Sequence, residues 1–325
     1  MKQKLSLPFA VPETLCYPHV TFAHSILKGN MGESFDALMC ERYINCCYKK
    51  TAPKGRFHNC VSDHWSTLRG VVDYQKVGFL KEVWQARGLK IEQVLKACLN
   101  EEAYPFCQCP RYVTEGHPDT NTSEFDCVIT GYDDEKGSFL VKGFDTENNY
   151  HDYEIPYGRL ETAILQSHHK GVNFDLWSYH KGVEVTLDIA KITAEISDYL
   201  NGTVAGGVIA YDKYFGVEAI NALITEFEAT ISQGDELNKI YLRGFYEHKY
   251  FMKKMIALLA TRNLISQQFC DCATAVEVLG SEVLALGTEY NQLRTASLSS
   301  LIIEKMRDSM IIEKKYLSQV LSVLN

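Results

Sequence analysis

The spacing of hydrophobic positions changes near Val183 and divides the sequence into two parts. Before that point, helical spacing over 18–30 and 34–46 gives way to short runs of β-branched and aromatic residues. After it, apolar residues recur every three or four positions in long segments, which are 217–231, 237–259, 265–286 and 289–324. The loops between these segments are short, which favours antiparallel packing. The pattern predicts an α+β domain over 1–175, followed by an all-α helical bundle over 176–325.

The clearest local signal is the stretch 124–145, EFDCVITGYDDEKGSFLVKGFD. Two apolar runs, 127–130 and 138–141, are joined by a loop rich in glycine and aspartate. Such a sequence is typical of an antiparallel β-hairpin. A third strand over 150–155 and a helix over 156–167 are predicted to follow. Helices that precede a small antiparallel sheet make an α+β pattern.

Composition fits a globular protein and argues against several classes of partner. The chain has 325 residues, of which 46% are hydrophobic and 23% charged, and its formal net charge is −8. Because it has no long basic run, we expect neither a nucleic acid nor an anionic membrane as its partner. No apolar stretch reaches the roughly 20 residues that span a bilayer. Pro8 and Pro12 interrupt the apolar part of the N-terminal segment, so we expect a cytoplasmic protein.

The cysteines are numerous but scattered. There are 11 of them, and in a cytoplasmic protein we expect reduced thiols. Cys107 and Cys109, and likewise Cys270 and Cys272, are separated by one residue, whereas zinc sites usually have two or more residues between neighbouring cysteines. No histidine pair stands at a matching distance. We therefore interpret these cysteines as small core residues and expect no metal and no organic cofactor.

Several short motifs occur together. The stretch 126–137, DCVITGYDDEKG, combines a strand with a Gly-Tyr-Asp turn, and 155–161, IPYGRLE, enters a helix. Near the N-terminus, Cys16 is followed by Tyr-Pro-His, and helical segments end the chain over 290–324. In these features the chain resembles the butirosin-biosynthesis-protein-H-like N-terminal family, papain-like proteins found with bacterial natural-product pathways. The resemblance implies a papain-like fold for 1–175. It also implies an acyl or aminoacyl transferase, or an amide synthase, that acts on a carrier-bound thioester.

Papain-like chemistry needs a thiolate at a helix start, a histidine that accepts its proton, and a group that orients the histidine. Cys16 fits the first role, because Pro18 suits a first helical turn and a helix N-terminus stabilises a thiolate. By resemblance, the histidine would stand at Phe125 and the acid at Gly143. Phenylalanine cannot accept a proton, and glycine has no side chain.

Several interpretations of this departure stay open. In the first, His117 in the preceding loop and Asp145 replace the missing partners of Cys16. In the second, Cys16 attacks a thioester with little assistance from a base, helped by Asp126. The partner in both cases would be an acyl or peptidyl carrier protein or a small-molecule thioester.

In the third interpretation, the protein is a catalytically inactive accessory protein. It would keep a papain-like groove that binds a carrier protein, a peptide or a small product, and the helical part could form a homodimer. In the fourth, the resemblance to papain arises by chance and the chain is a structural helical protein.

Overall fold

In the computed structural model, the described residues are 3–50, 55–60, 71–110, 112–115, 124–145, 149–166, 171–183, 185–204 and 212–325. Their strands, in chain order, are β1 (Lys4–Ser6), β2 (Cys47–Lys49), β3 (Arg56–His58), β4 (Val72–Leu80), β5 (Ala103–Pro110), β6 (Glu124–Asp133), β7 (Ser138–Phe144), β8 (Tyr150–Pro156), β9 (Gly171–Tyr179) and β10 (Lys213–Phe215). Their helices are α1 (Pro18–Met31), α2 (Ser34–Cys40), α3 (Lys81–Ala86), α4 (Ile91–Asn100), α5 (Tyr112–Glu115), α6 (Tyr157–Gln166), α7 (Ile189–Asn201), α8 (Gly216–Ser232), α9 (Lys239–Thr261), α10 (Gln268–Leu293) and α11 (Ala296–Leu324).

The chain forms two compact units. The sheet unit comprises Met1–Gly32 and His64–Val183, and the helical unit comprises Glu33–Asp63 and Glu184–Asn325. The sequence pattern predicts a single boundary near residue 175 instead. The two divisions differ because β2 pairs with β10 and α2 packs against α9, so residues 33–63 group with the C-terminal helices.

The sheet unit is built on an antiparallel sheet whose described strands follow the order β4-β9-β5-β6-β7-β8, with β1 beside the end of β6. The hairpin of β6 and β7 is present, and its turn ends at Gly137, where φ is 65°. Gly131 lets β1 approach β6, because a Cβ there would lie 2.2 Å from the backbone oxygen of Leu5. The predicted α+β class, with an antiparallel sheet and C-terminal helices, is confirmed.

The two faces of this sheet are covered by different helices. Phe22 of α1 has its ring centroid 6.0 Å from that of Phe106 in β5 and 5.7 Å from that of Phe144 in β7. On the other face, Phe139 of β7 lies 4.7 Å from Tyr157 of α6, centroid to centroid. We call these the α1 face and the α6 face. Side chains alternate between faces along a strand, so each strand residue can be assigned to one of them.

The helical unit is formed by long helices and a short sheet of β10, β2 and β3. Helices α9 and α10 approach closely, because a Cβ at Gly287 would lie 2.5 Å from Leu242 Cδ1 and one at Gly280 would lie 3.2 Å from Lys249 Cγ. Within the described part of the chain, no helix combines the length and apolar character needed to cross a membrane.

Candidate functional site

Cys16 lies two residues before α1, which begins with Pro18 as predicted. Its side chain is buried. The preceding loop is held against the helix, because Thr21 Oγ1 donates a hydrogen bond to the backbone oxygen of Thr14 at 2.8 Å. The N-terminal end of a helix favours a negative charge. The position therefore suits a thiolate, although the thiol is shielded from solvent.

Asp145 follows β7 and is hydrogen-bonded to Asn149, the residue before β8. Its Oδ1 accepts a hydrogen bond from the backbone nitrogen of Asn149 at 2.8 Å, and its Oδ2 lies 2.9 Å from His151 Nε2. His117, the predicted partner, lies outside the described residues. The structure thus brings Asp145 together with His151, a histidine that no sequence motif indicates.

Phe125 and Gly143 pack against each other on the α6 face of the sheet. A Cβ at Gly143 would lie 2.6 Å from Phe125 Cε2, so the phenyl ring fills the space of a side chain at 143. The ring also makes an edge contact with Tyr153, with centroids 6.4 Å apart. Gly143 precedes Phe144 in β7, and Phe144 faces α1. A histidine and an acid at these two positions would therefore point away from α1.

Asp126, the other acid considered as a helper of Cys16, alternates with Phe125 and lies on the α1 face. Its Oδ1 accepts a hydrogen bond of 3.0 Å from Gln108 Nε2 across β5 and β6. Of the two β6 residues considered for the site, Phe125 and Asp126, it is thus Asp126 that shares a face with α1.

A cleft of about 340 Å³ lies beside Gln108 in the sheet unit. Its position follows from the pairing of β5 with β9, which ends at Phe106 and Asp175. Beyond that pair, β5 continues beside β6 and β9 continues beside β4. The lining combines charged, amide and apolar groups from Lys76, Phe106, Cys107, Gln108, Ile164, Gly171, Asn173 and Asp175. A cleft of this size and mixed lining suits a small ligand.

Comparison of the chain with models of known protein families and with curated proteins found no match. The papain-like fold of 1–175 therefore stays an expectation from the motifs around Cys16 and in the β6–β7 hairpin.

A second cleft, of about 500 Å³, lies in the helical unit beside α8. Its polar groups engage one another: Tyr48 donates a hydrogen bond to the Glu226 carboxylate, and Lys50 Nζ lies 4.9 Å from the ring centroid of Tyr214. Burial and the bond to Glu226 raise the pKa of the Tyr48 hydroxyl. A ligand in this cleft would thus meet polar groups that already have partners.

Three thiols meet beside the sheet-unit cleft, and one of them, that of Cys107, lines it. The register of β5 and β6 sets Cys107 opposite Cys127, and Cys109 follows on the same face. The Sγ atom of Cys107 lies 3.5 Å from that of Cys109 and 3.6 Å from that of Cys127, and the last two are 3.6 Å apart. We call these three residues the thiol cluster. The sequence pattern favours core positions for Cys107 and Cys109 and does not connect them with Cys127.

Of the three thiols in the cluster, one ionises more readily than the other two. Hydrogen bonds from Cys109 and Cys127 lower the pKa of the Cys107 thiol to about 5. The contact with Cys107, together with burial, raises the pKa values of Cys109 and Cys127 well above the usual range. Among the three thiols, Cys107 is therefore the one that ionises most readily.

Proposed function

We propose that the protein is a papain-like accessory protein of bacterial natural-product biosynthesis. It binds an aminoacyl or short peptidyl group, free or attached to a carrier protein, and has no histidine or acid at positions 125 and 143, where the resemblance places them. The observation that carries this proposal is the packing of Phe125 against Gly143. The phenyl ring occupies the space of the expected acid, and both positions face α6 rather than α1.

The binding site in this proposal is the cleft beside Phe106. Lys76 offers an ammonium group to a carboxylate or carbonyl oxygen, and Asp175 accepts hydrogen bonds from an amine. Gln108 Oε1 and the amide of Asn173 can pair with peptide groups, and Phe106 covers an apolar side chain. Groups of both charges beside amides fit an amino acid derivative better than a polyanion.

The test uses aminoacyl and dipeptidyl thioesters of N-acetylcysteamine as small mimics of a carrier-bound substrate. We expect calorimetry to show binding without consumption of the thioester. Asp175→Asn and Lys76→Met should each weaken it about tenfold, since a hydrogen bond to a charged group contributes about 1.5 kcal/mol. The matched control is Lys90→Met, which removes a charge at an exposed position just before α4. Affinity that is unchanged in both cleft variants would contradict the proposed site.

Acyl transfer by Cys16 is the second candidate, favoured by the position of this thiol directly ahead of a 14-residue helix. In that reaction the Cys16 thiolate attacks the thioester carbonyl, a new thioester forms at Cys16, and the carrier thiol leaves. Mass spectrometry of the intact protein would detect the acyl adduct. Loss of the adduct in Cys16→Ala but not in Cys98→Ala, which removes a partly exposed thiol of α4, would favour the enzyme. Absence of an adduct in the wild-type protein would favour the accessory protein.

A further inference from the structure

The thiol cluster has the geometry of a metal site. A Zn–S bond is about 2.3 Å long, which sets neighbouring sulfurs of a tetrahedral site about 3.8 Å apart. The three sulfur–sulfur distances are 3.5 Å, 3.6 Å and 3.6 Å, so shifts of a few tenths of an ångström would fit the ion. No other described histidine, cysteine or carboxylate joins these three as a potential ligand. We propose that Cys107, Cys109 and Cys127 bind one thiophilic divalent ion, Zn(II) or its analogue Cd(II).

The backbone holds the three ligands in place before an ion arrives. Cys107 and Cys127 are directly opposite each other in the antiparallel ladder, and Cys109 is fixed two residues along β5. Ligands on paired strands are positioned more accurately than ligands on loops. The separation of one residue between Cys107 and Cys109, unusual for a zinc loop, is the separation that places two side chains on the same face of a strand.

The surroundings favour a cation. Three thiolates in a buried site repel one another, and the carboxylates of Asp126 and Asp175 disfavour additional negative charge on Cys107. A divalent ion replaces the thiol protons and offsets this repulsion. Thiolate ligands select soft ions over Mg²⁺ or Ca²⁺.

The cleft supplies access to the ion. Cys107 lines it, while Cys109 and Cys127 are fully buried. Three protein ligands leave a fourth position of a tetrahedral ion for water or for a ligand in the cleft, which is the arrangement of open zinc sites. The metal site is independent of the proposed binding of acyl groups, because it depends only on the three sulfurs and their access.

The experiment is a titration of the reduced, full-length protein with Cd(II), followed by the sulfur-to-cadmium charge-transfer absorbance. We expect a step at one equivalent that is lost in Cys127→Ser and in Cys109→Ser. The matched control is Cys270→Ser, because Cys270 and Cys272 share the one-residue separation but lie partly exposed on α10. A step that persists in both cluster variants, or that disappears in Cys270→Ser, would overturn the proposal.

A second measurement does not depend on whether the variants fold. Wild-type protein with and without Zn(II) is treated with iodoacetamide, and the alkylated cysteines are mapped by peptide mass spectrometry. We expect Zn(II) to slow alkylation of Cys107, the cluster cysteine that lines the cleft, relative to Cys98. Equal alkylation of Cys107 with and without Zn(II) would contradict the site.

Discussion

Two buried clusters of polar side chains, one in each unit, are assembled from different chemistry. In the helical unit, Lys249 Nζ lies 2.5 Å from Glu313 Oε2, and both side chains are at most 1% exposed. Tyr199 donates a hydrogen bond to the same carboxylate. In the sheet unit, the thiol cluster brings together three thiols, and ionisation of these groups can only give it a negative charge.

The difference between them separates a structural cluster from one that can accept a ligand. Lys249 and Glu313 neutralise each other inside the helical unit, so the cluster needs no added ion. The thiol cluster contains no cation, and one of its sulfurs lines a cleft. We therefore interpret the Lys249–Glu313 pair as part of the core, and the thiol cluster as the proposed site for an ion.

The largest effect is expected when one partner of the buried ion pair is removed. Lys249→Met leaves the Glu313 carboxylate buried without its cation, which costs about 3–5 kcal/mol of unfolding free energy. Denaturant unfolding followed by helical circular dichroism measures this loss. The control is Lys305→Met, whose partner Glu282 lies 2.6 Å away in a solvent-accessible pair and whose loss should cost less than about 1 kcal/mol. Equal costs in the two variants would show that Lys249 and Glu313 are not coupled in the core.

The next effect concerns pH and His248, which stacks on Tyr199. Burial lowers the pKa of His248 to about 4, whereas an unfolded histidine titrates near 6.5. The unfolded chain therefore takes up a proton that the native protein does not, and stability falls as the pH drops from about 6.5 towards 4. The loss approaches about 3 kcal/mol at the acid end of this window.

This prediction is measured as the difference between two pH profiles of unfolding free energy. His248→Gln keeps an N–H donor for the Ile44 carbonyl, which His248 Nε2 approaches to 3.1 Å, but it does not titrate. Its profile should be flatter than that of the wild type between pH 6.5 and 4. Parallel profiles for the wild type and His248→Gln would refute the prediction.

A smaller effect is expected where Phe125 meets Gly143. Gly143→Ala introduces a Cβ 2.6 Å from the phenyl ring, and such overpacking costs about 1–3 kcal/mol. Thermal unfolding compares it with Gly158→Ala at the start of α6, where a Cβ meets open space and alanine favours the helix. The cost of Gly143→Ala should shrink in a Phe125→Ala background, because the two positions share one volume. Additive costs would show that the ring does not occupy this space.

Features set by neighbouring residues could be predicted from the sequence, and features set by distant ones could not. The β6–β7 hairpin and the start of α1 at Pro18 were predictable, because a turn or a helix start is specified within a few residues. Strand β9 was not, because its partners β4 and β5 are distant in the chain.

The candidate site divides in the same way. Cys16 could be found from the proline that follows it, but the faces of Phe125 and Asp126 required the register of β6 against its neighbours. The thiol cluster was missed because Cys127 is 18 residues beyond Cys109 and meets it only through strand pairing. Aligning the first strand of the hairpin with the cysteine-containing stretch 103–110 as a neighbouring strand would have shown that Cys127 can meet the cysteines of that stretch.

The smallest effect is expected for loss of a cluster thiol in metal-free protein. Cys109→Ala removes one buried heavy atom and should cost about 1 kcal/mol, comparable to the removal of a buried methyl group. Because an ion that binds only the native state adds stability, this cost should grow when the same measurement is made in the presence of Zn(II). Thermal unfolding with chelator and then with Zn(II) gives both values, and Cys272→Ala supplies the control. A loss near that of Lys249→Met without metal would erase the distinction between the two clusters, since it would make the thiols as structurally essential as the ion pair.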